Sequence, residues 1–108
     1  MNKIHNRVKL IGHLGADPEI RTLDSGCKVA NFRIATNSSY TNDKGERVED
    51  TQWHPIEAWG KLVKISEKHL AKGKKVAIEG KLVHRSYEAK DGEKRYITVV
   101  NCDDLMML

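Results

Sequence analysis

Two tryptophans stand close together in residues 50–62 of this sequence, which read DTQWHPIEAWGKL. Interpreted as a β-strand, this stretch alternates, because successive side chains of a strand point to opposite faces. Ile56 and Ala58 share one face, whereas Trp53 and Trp59 share the other with a proline and a carboxylate. The first face suits a core. The two indoles would lie roughly 20 Å apart on the second face, at about 3.3 Å per residue.

That spacing is too long for one small ligand to bridge comfortably. It favours a long flexible polymer whose flat groups stack on successive aromatic rings. The alternative is that both tryptophans belong to the core, since tryptophan is usually at least partly buried. Residues 50–62 alone do not decide between a stacking surface and a core position for the tryptophans. The rest of the sequence narrows the choice.

The size and charge of the chain narrow the choice. A chain of 108 residues makes one domain and can bury a core without disulfides or metal. The net charge is +4, and it is uneven, because residues 60–95 hold 11 Lys/Arg against 5 Asp/Glu. A basic half predicts an anionic partner, with nucleic acid first. The alternative is an ordinary solvated surface.

Motifs of other protein classes are missing from the sequence. The five histidines are scattered, and no catalytic signature or phosphate loop accompanies them, so we do not expect an enzyme. Cys27 and Cys102 form no CxxC pair, which predicts free thiols and neither a metal nor another cofactor. The N-terminus has no apolar leader and no run could span a membrane, which predicts a cytoplasmic protein.

Hydrophobic periodicity predicts five strands and one helix. The strands are expected at residues 3–14, 28–38, 50–59, 75–87 and 95–102, and the helix at residues 61–72. The helix would bury a stripe and end before Gly73; the stripe is Leu62, Ile65, His69 and Leu70. Residues 16–26 are expected to be a loop, and residues 39–49 a projecting hairpin arm. The fold class predicted is all-β: an OB-fold, five-stranded antiparallel barrel with one α-helix between strands 3 and 4.

Several aromatic side chains are predicted to point outward from these strands. They are Tyr40, Trp53, Trp59 and Tyr87. Lysine or arginine stands near two of them, with Lys61 after Trp59 and Arg85 before Tyr87. Aromatic rings interleaved with cations make a groove for a single nucleic-acid strand, because bases stack and phosphates are neutralised. Phe32 and Tyr96 are assigned to the core or to barrel closure.

Segments along essentially the whole chain resemble the bacterial single-stranded DNA-binding protein family. They are LIGHLGADPEIR at 10–21, VANFRIATN at 29–37, QWHPIEAWGKL at 52–62, LAKGKKVAIEGKL at 70–82 and DGEKRY at 91–96. The resemblance implies one OB-fold domain over residues 1–108 that binds single-stranded DNA with little sequence preference. It also implies roles in DNA replication, recombination and repair, and a homotetramer.

The resemblance also implies individual roles. The base-stacking aromatics would be Tyr40, Trp53, Trp59 and Tyr87. The phosphate-contacting cations would be Lys61, Lys72, Arg85 and Arg95, with Arg21 and Arg33 as weaker candidates. His54 matches a family histidine at a subunit interface.

The sequence also departs from the family pattern. Tyr40 and Tyr87 stand where the best-known member has tryptophan, and Pro55 stands where it has arginine. The glycine-rich linker and acidic tail of the family do not follow Leu108, so tail-dependent replication and repair partners are not expected. The rival interpretations are a primosomal PriB-like OB protein and an OB module that binds RNA or protein.

Overall fold

The computed structural model describes residues 5–108. Six strands and one helix follow one another in this part of the chain. They are β1 (Val8–Leu14), β2 (Glu19–Thr22), β3 (Lys28–Thr41), β4 (Arg47–Trp59), α1 (Lys61–His69), β5 (Lys75–Glu88) and β6 (Lys94–Met107).

Five of the strands close into a barrel. Their order is β1–β5–β6–β4–β3, and β3 pairs again with β1. α1 lies between β4 and β5, which is the OB-fold arrangement that the sequence predicted. β4 and β6 pair in parallel, whereas the other four pairings around the barrel are antiparallel. A ring of five strands cannot alternate direction at every step, so closure requires one such parallel pair.

β1 closes the barrel by serving two neighbours. It pairs with β5 from Val8 to His13, and with β3 at His13 and Leu14. Gly12 lies beside this change of partner. A Cβ atom on Gly12 would lie 2.3 Å from the carbonyl oxygen of Ala35, closer than any side chain permits. Glycine therefore allows the two backbones to approach.

The barrel interior is filled by the inward faces of the strands. Ala30, Phe32 and Ile34 of β3 are buried, and they meet Ile56 and Ala58 from β4. Burying the three larger side chains, Phe32, Ile34 and Ile56, stabilises the fold by about 1.5–3 kcal/mol each.

The predicted first strand is longer than the observed one. Lys3 and Ile4, its first residues, lie outside the described residues, and residues 5–7 precede β1. The Asn6 side chain replaces part of the ladder there, since it accepts the Leu82 backbone N–H at 3.1 Å and donates to the Leu82 carbonyl at 3.3 Å. The Arg7 guanidinium donates to Glu79 at 2.8 Å and also pairs with Asp103.

The helix was predicted too long, and its predicted buried stripe is confirmed at Leu62 and Leu70 but wrong at His69. It ends at His69, because Leu70 adopts an extended backbone and is buried. His69 is exposed, and the buried positions on the helix are Val63 and Ser66. The Ser66 hydroxyl can be buried because it donates to the Leu62 carbonyl at 2.8 Å.

Both long hairpins extend beyond the barrel. The β3–β4 ladder continues without interruption to Thr41 and Arg47, and the β5–β6 ladder continues to Glu88 and Lys94. We refer to residues 38–50 as the β3–β4 arm and to residues 84–98 as the β5–β6 arm. The projecting arm predicted at residues 39–49 is therefore present, and a second one accompanies it.

Three smaller features complete the fold. β2 pairs with β3 within residues 16–26, which were predicted to be a loop. Both cysteines are free as predicted, with Cys27 exposed and Cys102 buried. Over residues 5–108, no helix has the length and apolar character needed to cross a membrane.

Candidate nucleic-acid interface

The two faces of β4 separate as the alternation predicted. Ile56 and Ala58 are buried in the core, whereas 53% of Trp53 is exposed. Trp59 is half-buried. A core position is therefore excluded for Trp53, whose indole presents a broad apolar surface to solvent. Exposed indoles on a sheet face are suited to stacking against flat groups.

Trp53 is held in place by Gly15, in the turn that follows β1. A Cβ atom on Gly15 would lie only 2.5 and 2.7 Å from two carbon atoms of the indole ring. The ring therefore lies directly over the glycine, where no side chain intervenes. This contact supports one edge of the indole on the barrel and limits the orientations that it can adopt.

Trp59 is placed differently, at the junction of β4 and α1. Gly60 turns the chain there with a φ of 61°, a conformation that side chains other than glycine rarely adopt. The indole lines a groove of about 410 Å³ together with Val63 and Lys64 of α1. The helix thus covers part of Trp59, which is why this ring is half-buried.

The outward face continues from β4 onto β5. The Arg85 guanidinium donates to a carboxylate oxygen of Glu57 at 2.7 Å. Glu57 lies between Trp53 and Trp59 on the outward phase of β4, and Arg85 shares the phase of Tyr87. The contact therefore joins the faces that carry the tryptophans and Tyr87 into one surface. Tyr87 is 54% exposed.

The candidate phosphate contacts fall into two groups. Arg85 is held by Glu57, and Arg95 lies 3.2 Å from Asp91 and 3.9 Å from Glu93. The remaining candidates are exposed and have no ion pair among the described residues; they are Arg21, Arg33, Lys61 and Lys72. The second group can bind an anion without first breaking an internal pair.

Tyr40 is exposed on the β3–β4 arm, opposite Val48. It keeps the phase of Phe32 and Ile34, which point into the barrel lower down the same strand. It therefore leaves the ribbon on the other side from Trp53. Tyr40 therefore does not lie on the face that carries Trp53 and Tyr87. The stacking role of Tyr40 stays a prediction.

The assignment of Tyr96 to the core or to barrel closure is wrong, whereas Phe32 is buried as expected. Tyr96 is 77% exposed, because it pairs with Ser86 on the β5–β6 arm, beyond the barrel. The Lys94 amine lies 5.9 Å from the centre of its ring. Tyr96 is therefore an exposed aromatic residue beside the cation of Lys94, and the sequence did not predict this position for it. Its position four residues after the Gly92 turn could have indicated it.

His54 is partly buried on the other phase of β4. Its Nε2 atom lies 2.8 Å from the Thr36 hydroxyl, within hydrogen-bond distance. The hydroxyl orients the imidazole ring in the single chain. The placement of His54 at a subunit interface stays a prediction.

Comparison with known families agrees with this geometry. The sequence model of the single-strand binding protein family matches residues 5–108. The chain therefore belongs to the single-strand binding protein family.

Curated relatives cover most of this chain. Single-stranded DNA-binding protein 1 of Chlorobaculum tepidum is 48% identical over 104 residues, which cover 95% of this chain and 64% of the relative. The single-stranded DNA-binding protein of Neisseria meningitidis serogroup A is 41% identical over 103 residues, which cover 95% of this chain and 59% of the relative. The chain thus spans about three fifths of the length of these relatives.

Solved structures match the fold closely. A Plasmodium falciparum SSB in complex with ssDNA has a TM-score of 0.90 and 33% identity, covering 100% of this chain and 99% of that one. A deletion mutant of the single-stranded DNA binding protein from Thermus aquaticus has a TM-score of 0.82 and 29% identity. That match covers 95% of this chain and 50% of the other.

Proposed function

We propose that this chain is a single-stranded DNA-binding domain, extending over residues 1–108, that binds without catalysing a reaction. The observation that carries the proposal is the exposed indole of Trp53, held over Gly15 on a face shared with Arg85 and Tyr87. Flat aromatic rings accept any base, and cations accept any phosphate. Binding should therefore show little sequence preference.

Membership of the single-strand binding protein family supports the proposal, as do relatives named for single-stranded DNA binding and a neighbour described in complex with ssDNA. A domain of this kind protects exposed strands during DNA replication, recombination and repair. We also propose that the protein acts in the cytoplasm with the nucleoid, where single strands of DNA are exposed.

A competition experiment tests the ligand class. Oligo-dT labelled with a fluorophore is bound to the protein and then displaced by unlabelled oligo-dT, by the matching RNA or by duplex DNA. We expect oligo-dT to compete best, because duplex bases are stacked on each other and cannot open onto the rings. If RNA competes better than DNA, the chain is an RNA-binding OB module. If no nucleic acid competes, the proposal fails.

We also propose that the protein assembles as a homotetramer. The outward side of β1, β5 and β6 carries a cross-strand apolar row formed by Ile11, Ala77 and Met106. Ile11 and Met106 are 58% and 63% exposed in the single chain. Exposed apolar patches on a flat sheet favour association with another protein surface. A second copy of the same sheet offers a complementary surface.

Light scattering tests the assembly. We expect a mass of about 49 kDa, four times the 12.3 kDa of one chain. Ile11→Lys should lower the mass, because a charge would be buried in the interface. The matched variant Arg47→Lys, at the tip of the β3–β4 arm, should leave it unchanged. A wild-type protein that is monomeric at micromolar concentration contradicts the proposal.

A further inference from the structure

The groove beside Trp59 continues the candidate interface toward the helix. Its volume is about 410 Å³, and it lies between the start of β3, the end of β4 and the first two turns of α1. We refer to it as the α1 groove. Its main lining side chains are Cys27, Lys28, Trp59, Val63, Lys64 and Glu67.

The chemistry of the α1 groove matches that of a nucleotide. Trp59 and Val63 supply the aromatic and apolar parts of the lining; Val63 is buried and Trp59 is half-buried. Lys28 and Lys64 are exposed at its rim, so each ammonium group can reach an anion outside it. Glu67 is the single carboxylate of the lining, which leaves the rim with a net positive charge. An apolar slot with cations at the mouth accepts a base inside and a phosphate outside.

The position of the groove specifies which ligand enters it. Trp59 stands on the outward phase of β4, six residues beyond Trp53, and its indole also forms one wall of the groove. Lys61, exposed and without an ion pair among residues 5–108, lies at the same end of the strand. A single strand of DNA that contacts Trp53 and then Trp59 along β4 therefore arrives at the mouth of the α1 groove.

We infer that the α1 groove is a separate nucleotide subsite, in which one base of the bound single strand inserts beside Trp59 while Lys28 and Lys64 hold the adjacent phosphates. The inference rests on the proposed function and extends it from flat stacking on an open face to insertion beside the helix. A groove of this kind fixes the end of the path, which an open sheet face does not.

Cys27 provides a natural reporter inside the groove. Its thiol is exposed, whereas Cys102 is buried and its burial raises the pKa of that thiol to about 11. Alkylation requires an accessible thiolate, so N-ethylmaleimide should modify Cys27 and spare Cys102 in the folded protein. Mass spectrometry of the digested protein distinguishes the two sites.

The experiment compares the rate of Cys27 alkylation with and without saturating oligo-dT, while tryptophan fluorescence reports binding in the same sample. We expect oligo-dT to slow the reaction at least about tenfold. An unchanged rate in a sample that has bound oligo-dT overturns the subsite and leaves the proposed function standing. Absence of binding overturns the proposed function instead. Slow alkylation of Cys27 without DNA means that the groove is not open to solvent, and also overturns the subsite.

A matched control separates insertion from general shielding. In Cys27→Ser, the substitution Lys68→Cys places a thiol on an exposed position of α1 that does not line the groove. We expect its alkylation rate to be insensitive to oligo-dT. Equal protection at both positions means that the strand only covers the helix, which contradicts insertion.

The phosphate contact has its own test. Lys64→Ala should weaken oligo-dT binding and flatten its salt dependence by about 0.7 in the log–log slope, the value for one phosphate contact on a single strand. Lys68→Ala removes the same charge from the same helix outside the groove, and should leave the slope unchanged. Identical slopes for the two variants overturn the assignment of Lys64.

Discussion

The outer face of the barrel strands, which we call the wall, and the β5–β6 arm both present aromatic rings to solvent. The ring of Trp53 on the wall is held in place by a neighbouring residue, whereas the rings on the arm stand among exposed side chains. Trp53 stands on a strand with a buried inner face, and its ring rests on Gly15. Tyr87 and Tyr96 stand on a two-stranded ribbon whose side chains from Arg85 to Glu88 are all exposed. A ring that is already oriented loses less conformational entropy when a base stacks on it. Aromatic rings on the barrel strands, such as Trp53, should therefore contribute more to the binding of single-stranded DNA than aromatic rings on the arms.

The largest expected effect tests this difference directly. Trp53→Ala should weaken oligo-dT binding about 5- to 150-fold, which corresponds to about 1–3 kcal/mol for one stacked base, a range for which single-strand-binding OB folds are themselves the reference case. Tyr40→Ala and Tyr96→Ala should each cost less, as measured by fluorescence anisotropy. If Tyr40→Ala or Tyr96→Ala lowers the affinity for oligo-dT as much as Trp53→Ala does, rings on the wall and on the arms contribute equally.

A pair of glycine substitutions separates ring placement from fold stability. Gly15→Ala places a methyl group against the end of the Trp53 ring, which can swing away, so binding should weaken roughly 2- to 10-fold with little loss of stability. Gly12→Ala collides with the Ala35 carbonyl, which cannot move, and should destabilise the fold by about 1–3 kcal/mol. Oligo-dT titration and thermal unfolding of both variants measure these effects. A Gly15→Ala protein that binds like the wild type would show that Gly15 does not position Trp53.

A substitution on the β5–β6 arm is expected to strengthen binding. Tyr87→Trp enlarges the stacking surface at a position that is 54% exposed, and should tighten oligo-dT binding a few-fold. The control Tyr96→Trp enlarges the ring on the other face of the arm. If only Tyr96→Trp tightens the binding of oligo-dT, the DNA follows the opposite face of the β5–β6 arm, and Tyr87 does not stack against a base.

The smallest effect concerns the ion pair that joins wall and arm. Glu57→Gln frees Arg85 from its 2.7 Å contact, so the guanidinium becomes available to a phosphate. We expect slightly tighter binding at low salt and a log–log salt slope that is steeper by about 0.7. The control Glu49→Gln, on the β3–β4 arm, should leave the slope unchanged. An unchanged slope in Glu57→Gln would mean that Arg85 does not contact the backbone of the strand.

Period-two alternation predicted which side of each barrel strand faces the core. It separated Ile56 and Ala58 from Trp53, because one face of a barrel strand is packed and the other is not. It failed at Tyr96, where the phase is that of Val100 but the ladder has already passed the end of the barrel. How far a hairpin projects depends on where the barrel closes, and the alternation does not encode that length.

The helix was harder to predict because two local rules competed with tertiary packing. Gly73 is a good residue to end a helix, yet Leu70 leaves the helix earlier to reach the core. Ser66 is not part of the predicted stripe, yet it is buried with its hydroxyl bonded to the Leu62 carbonyl. β2 was missed because four residues between two turn signals carry too little periodicity to indicate a strand.

One salt titration tests whether stacking on Trp53 holds single-stranded DNA on the barrel. The affinity for oligo-dT is measured from low to high salt for the wild type and Trp53→Ala, together with the melting temperature of each. We expect two nearly parallel lines of log Kd against log salt, separated about 5- to 150-fold, with similar melting temperatures. Coincident lines for the folded proteins, with a sharply lower melting temperature for Trp53→Ala, would show that Trp53 supports the fold and does not bind the strand.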